Sequence, residues 1–405
     1  MFQKFRALFT IRLISHWFPR NDNFSTLDQS SYHNLEIKNE SDFIAYITAK
    51  YVSLLCLPIL LFLSKCYQLF LTLRMKKMSV RKVSAVNEKK KSLKGPLIIA
   101  IGNLVVGGVG KTPTVIALAN LLKKNGLKVA IISRGYKGEM EKSEKPQIVT
   151  LEKSFNTSLY GDEPCLIAKE TSLPVCVGHN REESVKLLSK KNMRIDVILL
   201  DDGLQQSHLQ SHKKILIIDD RGFGNGYCLP FGPMREIWPT SYEVDILLAN
   251  NLHKQDKNFL KIVDTINAAQ NFVASDIHVE LEHWEDLNGQ LMSVSEMLRF
   301  SKSKFNSSGE RAFAVAGLAK PEKFFTTLAS LGIEFERIYS ENHNAKMPGL
   351  LLKACVDNPE KLILTTTKDL IKVPRRDHKK LRNLWALKIS YHFKDDFTNE
   401  LFRWL

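Results

Sequence analysis

A chain of 405 residues, 44% hydrophobic and 25% charged, has room for about two domains, each with its own core. Its 58 Lys and Arg against 43 Asp and Glu leave a formal net charge of +15, which calls for nucleic acid, an anionic membrane surface or an anionic substrate. There is no aromatic-rich RNA signature and no Cys/His finger, so nucleic acid is not the expected partner. The six cysteines are scattered without a Cys-x-x-Cys pair, which argues against a disulfide framework or a zinc site and for buried free thiols.

The first twenty residues, MFQKFRALFTIRLISHWFPR, are amphipathic and contain no acid. They fit an interfacial helix better than a transit peptide. Residues 21–45 are polar and read as a loop or linker. Tyr51 to Leu73 is apolar and long enough to cross a hydrocarbon core of ~30 Å, although Pro58 and Lys65 interrupt it. It predicts either one transmembrane helix or a helix lying in the interface. The basic residues Arg74, Lys76, Lys77, Arg81, Lys82, Lys89, Lys90, Lys91 and Lys94 follow, against Glu88. Positive-inside logic puts that flank, and the chain after it, in the cytoplasm, associated with a membrane surface.

From residue 96 short apolar runs alternate with helical patterns: Leu97–Ile101, Val129–Ser133, Pro174–Val177, Val197–Leu200, Ile215–Ile218 and Ile246–Leu248. Such aliphatic runs suit a buried parallel sheet covered by helices, an α/β fold whose ligands sit at the carboxyl ends of the strands. A second α/β pattern begins near residue 275. Ala312–Ala316, Leu362–Leu364 and Trp385–Ile389 read as strands and Lys320 to Leu331 as a helix closed by Gly332. Residues 301–310 read as a polar loop. The expected organisation is an N-terminal extension (1–50), a hydrophobic helix with its basic flank (51–95), a P-loop domain (96–275) and a smaller α/β domain (276–405) closing over the site.

Gly107-Gly108-Val109-Gly110-Lys111-Thr112 follows the first apolar run and leads into a helical pattern with Pro113 near its start. Strand, glycine-rich turn, Lys-Thr pair and helix form a phosphate cradle. Backbone N–H groups and the helix N-terminus bind phosphate oxygens, Lys111 reaches the outer phosphates, and the Thr112 hydroxyl ligates Mg²⁺. The standard spacing wants glycine where this chain has Val105, so a chance Gly-Lys-Thr in an ordinary turn is the competing reading. The run from Val197 ends in Asp201-Asp202-Gly203. Two acids at a buried strand end need a cation, and beside a phosphate loop such an acid holds Mg²⁺; solvated acids in a turn are the bland reading.

Gly161-Asp162-Glu163-Pro164 is most simply a helix N-terminus, although Asp162 can also take a proton from an attacking hydroxyl. Ser133-Arg134-Gly135-Tyr136 and His179-Asn180-Arg181 place cations after strands, and Arg235-Glu236 ends a Pro/Gly-rich loop; a surface Arg most often has no such task. His343 is a lone histidine in a polar loop, a position more often structural than catalytic.

Together these segments resemble the tetraacyldisaccharide 4′-kinase family of lipid A synthesis, over roughly residues 50 to 375. The motifs are Gly102-Asn103 with GGVGKTP at 107–113, SRGY at 133–136, GDEP at 161–164, DDGLQ at 201–205, FGNG at 223–226 and GPMRE at 232–236. AGLAKPEKFF at 316–325 and TKD at 367–369 look like its later motifs. Where the family commonly has Asp-His and Glu-Lys-Asp, this chain has Asn342-His343 and Thr367-Lys368-Asp369. The resemblance implies transfer of the γ-phosphoryl of ATP to the 4′-hydroxyl of a lipid disaccharide 1-phosphate, with Mg²⁺. It implies that Asp162 is the base, oriented by His343. Lys111 and Thr112 handle phosphates and Mg²⁺, Asp201, Asp202 and Glu236 position metal and phosphate, and Arg235 meets phosphate. No obligate protein partner is expected.

Two other classes compete. A membrane-associated NTPase switch would show nucleotide hydrolysis controlled by a protein, but the Asn-Lys-x-Asp motif of guanine specificity is missing. An inactive scaffold is disfavoured by the presence of Lys111, Thr112, Asp162, Asp201, Asp202 and His343.

Overall fold

The computed structural model describes residues 16–17, 56–73, 95–149, 156–190, 194–205, 209–238, 243–250, 260, 262–264, 272–318, 321–338 and 347–405, the side chains of 305–308 excepted. The rest of the first twenty residues, the linker at 21–45, residues 51–55, the basic flank and His343 lie outside the described residues.

Along the chain the elements are helix α1 (Cys56–Leu73), strand β1 (Leu97–Gly102), α2 (Lys111–Lys124), β2 (Val129–Ser133), β3 (Gln147–Ile148), α3 (Thr157–Tyr160) and α4 (Asp162–Thr171). Then come β4 (Val175–Val177), α5 (Arg181–Lys190), β5 (Val197–Asp201), β6 (Lys213–Asp219), β7 (Ile246–Asn250), β8 (Val273–Asp286) and β9 (Leu291–Ser293). The C-terminal part holds α6 (Val294–Ser308), β10 (Ala312–Val315), α7 (Pro321–Ser330), β11 (Phe335–Ile338), α8 (Met347–Asp357), β12 (Ile363–Thr366), α9 (Thr367–Leu370), β13 (Leu384–Phe393) and α10 (Asp395–Arg403). This is the α/β class expected from the alternating runs.

The chain forms two compact units that cut across its linear order. One takes the described residues up to 94 with 103–109 and 215–276; the other takes 95–102, 110–214 and 277–405.

In the second unit β1 pairs with β5, β5 with β2 and β2 with β4, all parallel, and β3 closes that edge antiparallel. Every residue of β2, β4 and β5 is buried, which is why these strands are continuous aliphatic runs rather than alternating ones. The same unit carries a parallel array β11-β10-β12-β13 with β8 and then β9 added antiparallel. Its strands alternate between two cores. Leu364, Trp385 and Leu387 join Trp284, Phe324 and Phe325 on one face, while Ile363, Leu384 and Ala386 join Leu351 and Cys355 on the other.

One expectation fails. Residues 301–308 are not a loop but the continuation of α6. Its N-terminal half is anchored by Met297, which is fully buried, and by Leu298 packed on the same core. The Ser/Lys-rich stretch that follows is an extension of that anchored helix, and local composition does not reveal the anchor.

In the first unit β6 and β7 pair in parallel. Helix α1 is long and apolar enough to cross a membrane by length and composition. Its Ser64 hydroxyl donates to the Cys228 carbonyl at 2.7 Å, and its Tyr67 hydroxyl to that of Arg235 at 3.0 Å. Ile59, Phe62, Leu63, Leu69, Phe70 and Leu73 are exposed. His16 and Trp17 meet the same loop: the Trp17 indole donates to the Pro230 carbonyl at 3.2 Å, and the Asn225 N–H donates to the Trp17 carbonyl at 2.6 Å.

Candidate active site

The second unit brings Lys111, Thr112, Asp162, Asp201 and Asp202 onto elements that end near one another. Strand β5 delivers Asp201 as its last residue, with the backbone turning sharply after it. Asp202 takes a left-handed φ of 49°, uncommon for a residue with a Cβ, and the Gly203 N–H returns to the Ile101 carbonyl at 2.8 Å. Lys111, the first residue of α2, places its ammonium 3.4 Å from Asp202 Oδ1. Thr112 is buried one residue further on, and Pro113 occupies the first turn, where its missing N–H has no helical partner to lose.

Asp201 is 3% exposed. Its Oδ2 accepts from the Ser133 hydroxyl at 2.9 Å, and its Oδ1 has no donor among the described residues. Burial pushes its carboxyl up to about 6, the charges of Glu163 and Asp202 add to that, and Ser133 and Lys111 only partly oppose it. Behind the turn, Arg181 is 4% exposed and donates Nη2 to the carbonyls of Asp201 at 2.7 Å and Asp202 at 3.2 Å.

Asp162 and Glu163 open α4, where a negative charge suits the helix dipole. Gly161 sets them there. Its φ is 89°, and a Cβ on it would lie 2.9 Å from the Tyr136 carbonyl oxygen, so the SRGY and GDEP motifs meet backbone to backbone. The two acids face lysines from the segment after β12. Glu163 accepts from Lys368 at 2.7 Å, and Lys372 lies 3.6 Å from Asp162 and 2.8 Å from Asp369. Burial pushes the Asp162 carboxyl above its ordinary value, helped by Glu163 and Asp369, and Lys372 and Lys368 only partly counter it. For Glu163 burial pushes the same way, but the Lys368 ammonium outweighs it, and the carboxyl ends below its ordinary range.

In the first unit Gly107 and Gly108 are exposed, and Arg221 frames them. Arg221, paired with the fully buried Asp219 at 3.0 Å, donates to the carbonyls of Val106 at 3.1 Å and Gly108 at 3.3 Å. Gly107 has a φ of 99°, which strains any residue with a Cβ, and a Cβ there would also press on the Arg221 Nη1 at 2.8 Å. The Val109 carbonyl accepts from Asn250 Nδ2 at 2.8 Å. Val105 is buried in a bridge to Met234, and the flanking Val106 and Arg235 N–H groups bond to Pro233 and Leu104. Val105 thus sits in strand-like pairing without a positive φ, a conformation that does not call for glycine. Arg235 donates Nη2 to the Asn103 carbonyl at 2.9 Å and to its side-chain oxygen. Glu236 follows it, half-buried.

Sequence reasoning left Glu163, Lys368 and Lys372 out of the site, and it passed over Arg221 and Asn250, which hold the glycine turn of the first unit. Lys368 and Glu163 stand inside quoted motifs, so the signal was present without the pairing. Arg221 follows the buried end of β6 and Asn250 is the last residue of β7, the position at which α/β sheets place ligands.

Among the described residues no three His, Cys, Asp or Glu side chains cage a metal by themselves. Mg²⁺ does not need that, because it is usually held by one or two carboxylates, waters and substrate phosphates. A buried carboxylate oxygen without a donor, with a second acid close by, fits such an ion.

The family model described as tetraacyldisaccharide-1-P 4′-kinase matches residues 56–405. A tetraacyldisaccharide 4′-kinase of Ruthia magnifica subsp. Calyptogena magnifica is 33% identical over 315 residues, 77% of this chain and 87% of the relative. One from Mannheimia succiniciproducens is 35% identical, covering 70% of this chain and 77% of the relative. Among solved structures, the "apo" form of LpxK from Aquifex aeolicus in complex with ATP is similar with a TM-score of 0.57 and 25% identity, over 84% of this chain and 98% of that one.

Proposed function

Because this chain belongs to the tetraacyldisaccharide-1-P 4′-kinase family, we propose that Lys111, Asp162 and the Asp201–Asp202 strand end carry the chemistry of a lipid kinase. The enzyme transfers the γ-phosphoryl of ATP to the 4′-hydroxyl of tetraacyldisaccharide 1-phosphate, giving lipid IVA in lipid A biosynthesis. The observation that carries the assignment is the buried Asp201 Oδ1 without a donor, next to an Asp202 that Lys111 already meets.

In this assignment Asp162 accepts the proton of the 4′-hydroxyl as its oxygen bonds to the γ-phosphorus. The bond from that phosphorus to the β-γ bridging oxygen breaks, and ADP leaves. Lys111 exchanges Asp202 for phosphate oxygens. Thr112 and Asp202 would hold Mg²⁺, with Glu236 added by the resemblance. When bound there, the ion would neutralise charge on the phosphates. Asp201, its Oδ2 held by the Ser133 hydroxyl, would offer Oδ1 to the same ion directly or through water. Arg235 meets phosphate and His343 orients Asp162, both by the resemblance alone. The parts expected at 96–275 and 276–405 share this work, the second supplying the lysines that face Asp162 and Glu163.

The lipid acceptor stays in the membrane, and α1 suits that. With Ser64 and Tyr67 bonded to the 228–235 loop, the opposite face presents Phe62, Leu63, Leu69 and Phe70. In this reading α1 lies in the interface, its tied flank on the protein and its apolar face in the lipid. The basic flank sets it on the cytoplasmic side of the inner membrane.

The test is a kinase assay on detergent-solubilised protein with radiolabelled disaccharide 1-phosphate and Mg-ATP. Wild type yields label-matched product. Lys111→Ala and Asp162→Ala each lose about 10²- to 10⁴-fold. ATP hydrolysis that needs Lys111 without lipid product overturns the assignment.

A further inference from the structure

Asp162 has an electrostatic problem as a base. It accepts a proton only when ionised, and its half-buried position favours the neutral acid. The described charged groups that face it are Lys372, Lys368 and Asp369 from the segment after β12, and Glu163 beside it. One turn along α4 the Cys165 thiol is buried and pushed up to about 12, so it stays neutral.

The two lysines are not equivalent. Lys368 spends its ammonium on Glu163 at 2.7 Å, and its side chain is about a third exposed, at 30%. Lys372 is 4% exposed and anchored 2.8 Å from Asp369, which is itself fully buried. Asp369 is held in turn, because its Oδ2 accepts from the Gly317 N–H at 2.8 Å and from the Thr366 hydroxyl at 2.8 Å. That clamp stops a long flexible side chain at one place, with its ammonium 3.6 Å from Asp162 Oδ2. A solvated lysine would pay for such a position in entropy and lose most of the attraction to screening. A clamped, buried one does neither.

We propose that Lys372 is a positioning residue for the phosphoryl transfer: clamped on Asp369, its ammonium holds the Asp162 carboxylate ionised and oriented to take the acceptor's proton. The inference rests on Asp162 being the base. A plain structural ion pair between Lys372 and Asp369 is the alternative, and the two differ in pH dependence.

The experiment is the pH profile of kcat/KM for the full chain in detergent with Mg-ATP and lipid acceptor. The variants are Asp162→Asn, Lys372→Gln, Lys372→Arg and the double variant Lys372→Gln/Asp369→Asn. Removing the ammonium moves the acid limb of Lys372→Gln up by about one pH unit or more. Its deficit is therefore deepest at acid pH and shrinks as pH rises. Lys372→Arg returns the limb toward wild type. The double variant removes both charges of the buried pair, so it folds without an uncompensated carboxylate. Its limb still rises, by less, because Asp369 opposed Lys372. An equal loss at every pH with an unmoved limb, in either Gln-bearing variant, overturns the inference while an inactive Asp162→Asn leaves the base in place. An active Asp162→Asn removes the base reading itself.

Discussion

Asp201–Asp202 and Asp162–Glu163 are both adjacent acids in the same compact unit, and the protein treats them oppositely. In the strand-end pair Lys111 meets Asp202 at 3.4 Å, but Asp201 is left under-compensated, buried with one oxygen lacking a donor, and its value is pushed up to about 6. The helix-start pair is matched lysine for acid, Lys368 on Glu163 and Lys372 on Asp162. A pair left short of positive charge is built to receive a cation that comes and goes. A pair with its cations built in is built to keep a set ionisation state. Under the proposed function the first meets the metal and nucleotide, and the second handles the acceptor's proton.

The strongest way to break this contrast is Asp201→Asn. Activity falls about 10²- to 10³-fold, because the strand end loses the charge that the metal site needs. Stability moves the other way. The folded value of Asp201 lies above its ordinary 3.8, so the folded state binds the proton more tightly than the unfolded one. That contribution to stability is full below about 4 and is lost as pH rises through about 6. Nucleotide-free, metal-free Asp201→Asn is therefore more stable than wild type at neutral pH, by on the order of 1–3 kcal/mol, and gains nothing near pH 4. Thermal melts at the two pH values check it; an equal shift at both refutes the stored-charge account.

Next in size is Gly161→Ala. The left-handed backbone and the Tyr136 carbonyl 2.9 Å from the new Cβ cost about 1–3 kcal/mol together. Because Gly161 sets where Asp162 stands, kcat falls between about 10- and 100-fold while ATP affinity changes little. Equal damage to ATP binding would place the fault outside the helix-start pair.

The smallest effect is that of Glu163→Gln. Glu163 lies below its ordinary 4.5 in the folded state, so its contribution is present above that value and lost as pH falls through the folded one. The pair with Lys368 is about a third exposed on both sides, which keeps its worth below about 1 kcal/mol. The expected signature is a small Tm loss at neutral pH that vanishes in acid, read by the same melts.

The sequence by itself determined the strands that bear the site, because the buried stretch of a parallel strand must be an apolar run, and β1, β2, β5, β6 and β7 each contain one. It also marked Gly110-Lys111-Thr112 as a turn leading into a helix, the arrangement the proposed phosphate loop needs, since that is a local device. It predicted that Asp162-Glu163-Pro164 starts a helix, and it does. It did not reveal the long β8, whose pairing with β13 lies about a hundred residues away in sequence, or the helix through Ser308, whose anchor at Met297 is a tertiary contact. Only the tertiary structure decided the electrostatics. Lys368 reaches Glu163 across 205 positions of chain, and Lys372 reaches Asp162 across a similar span. Charge interactions depend on distance and burial, and a sequence states neither.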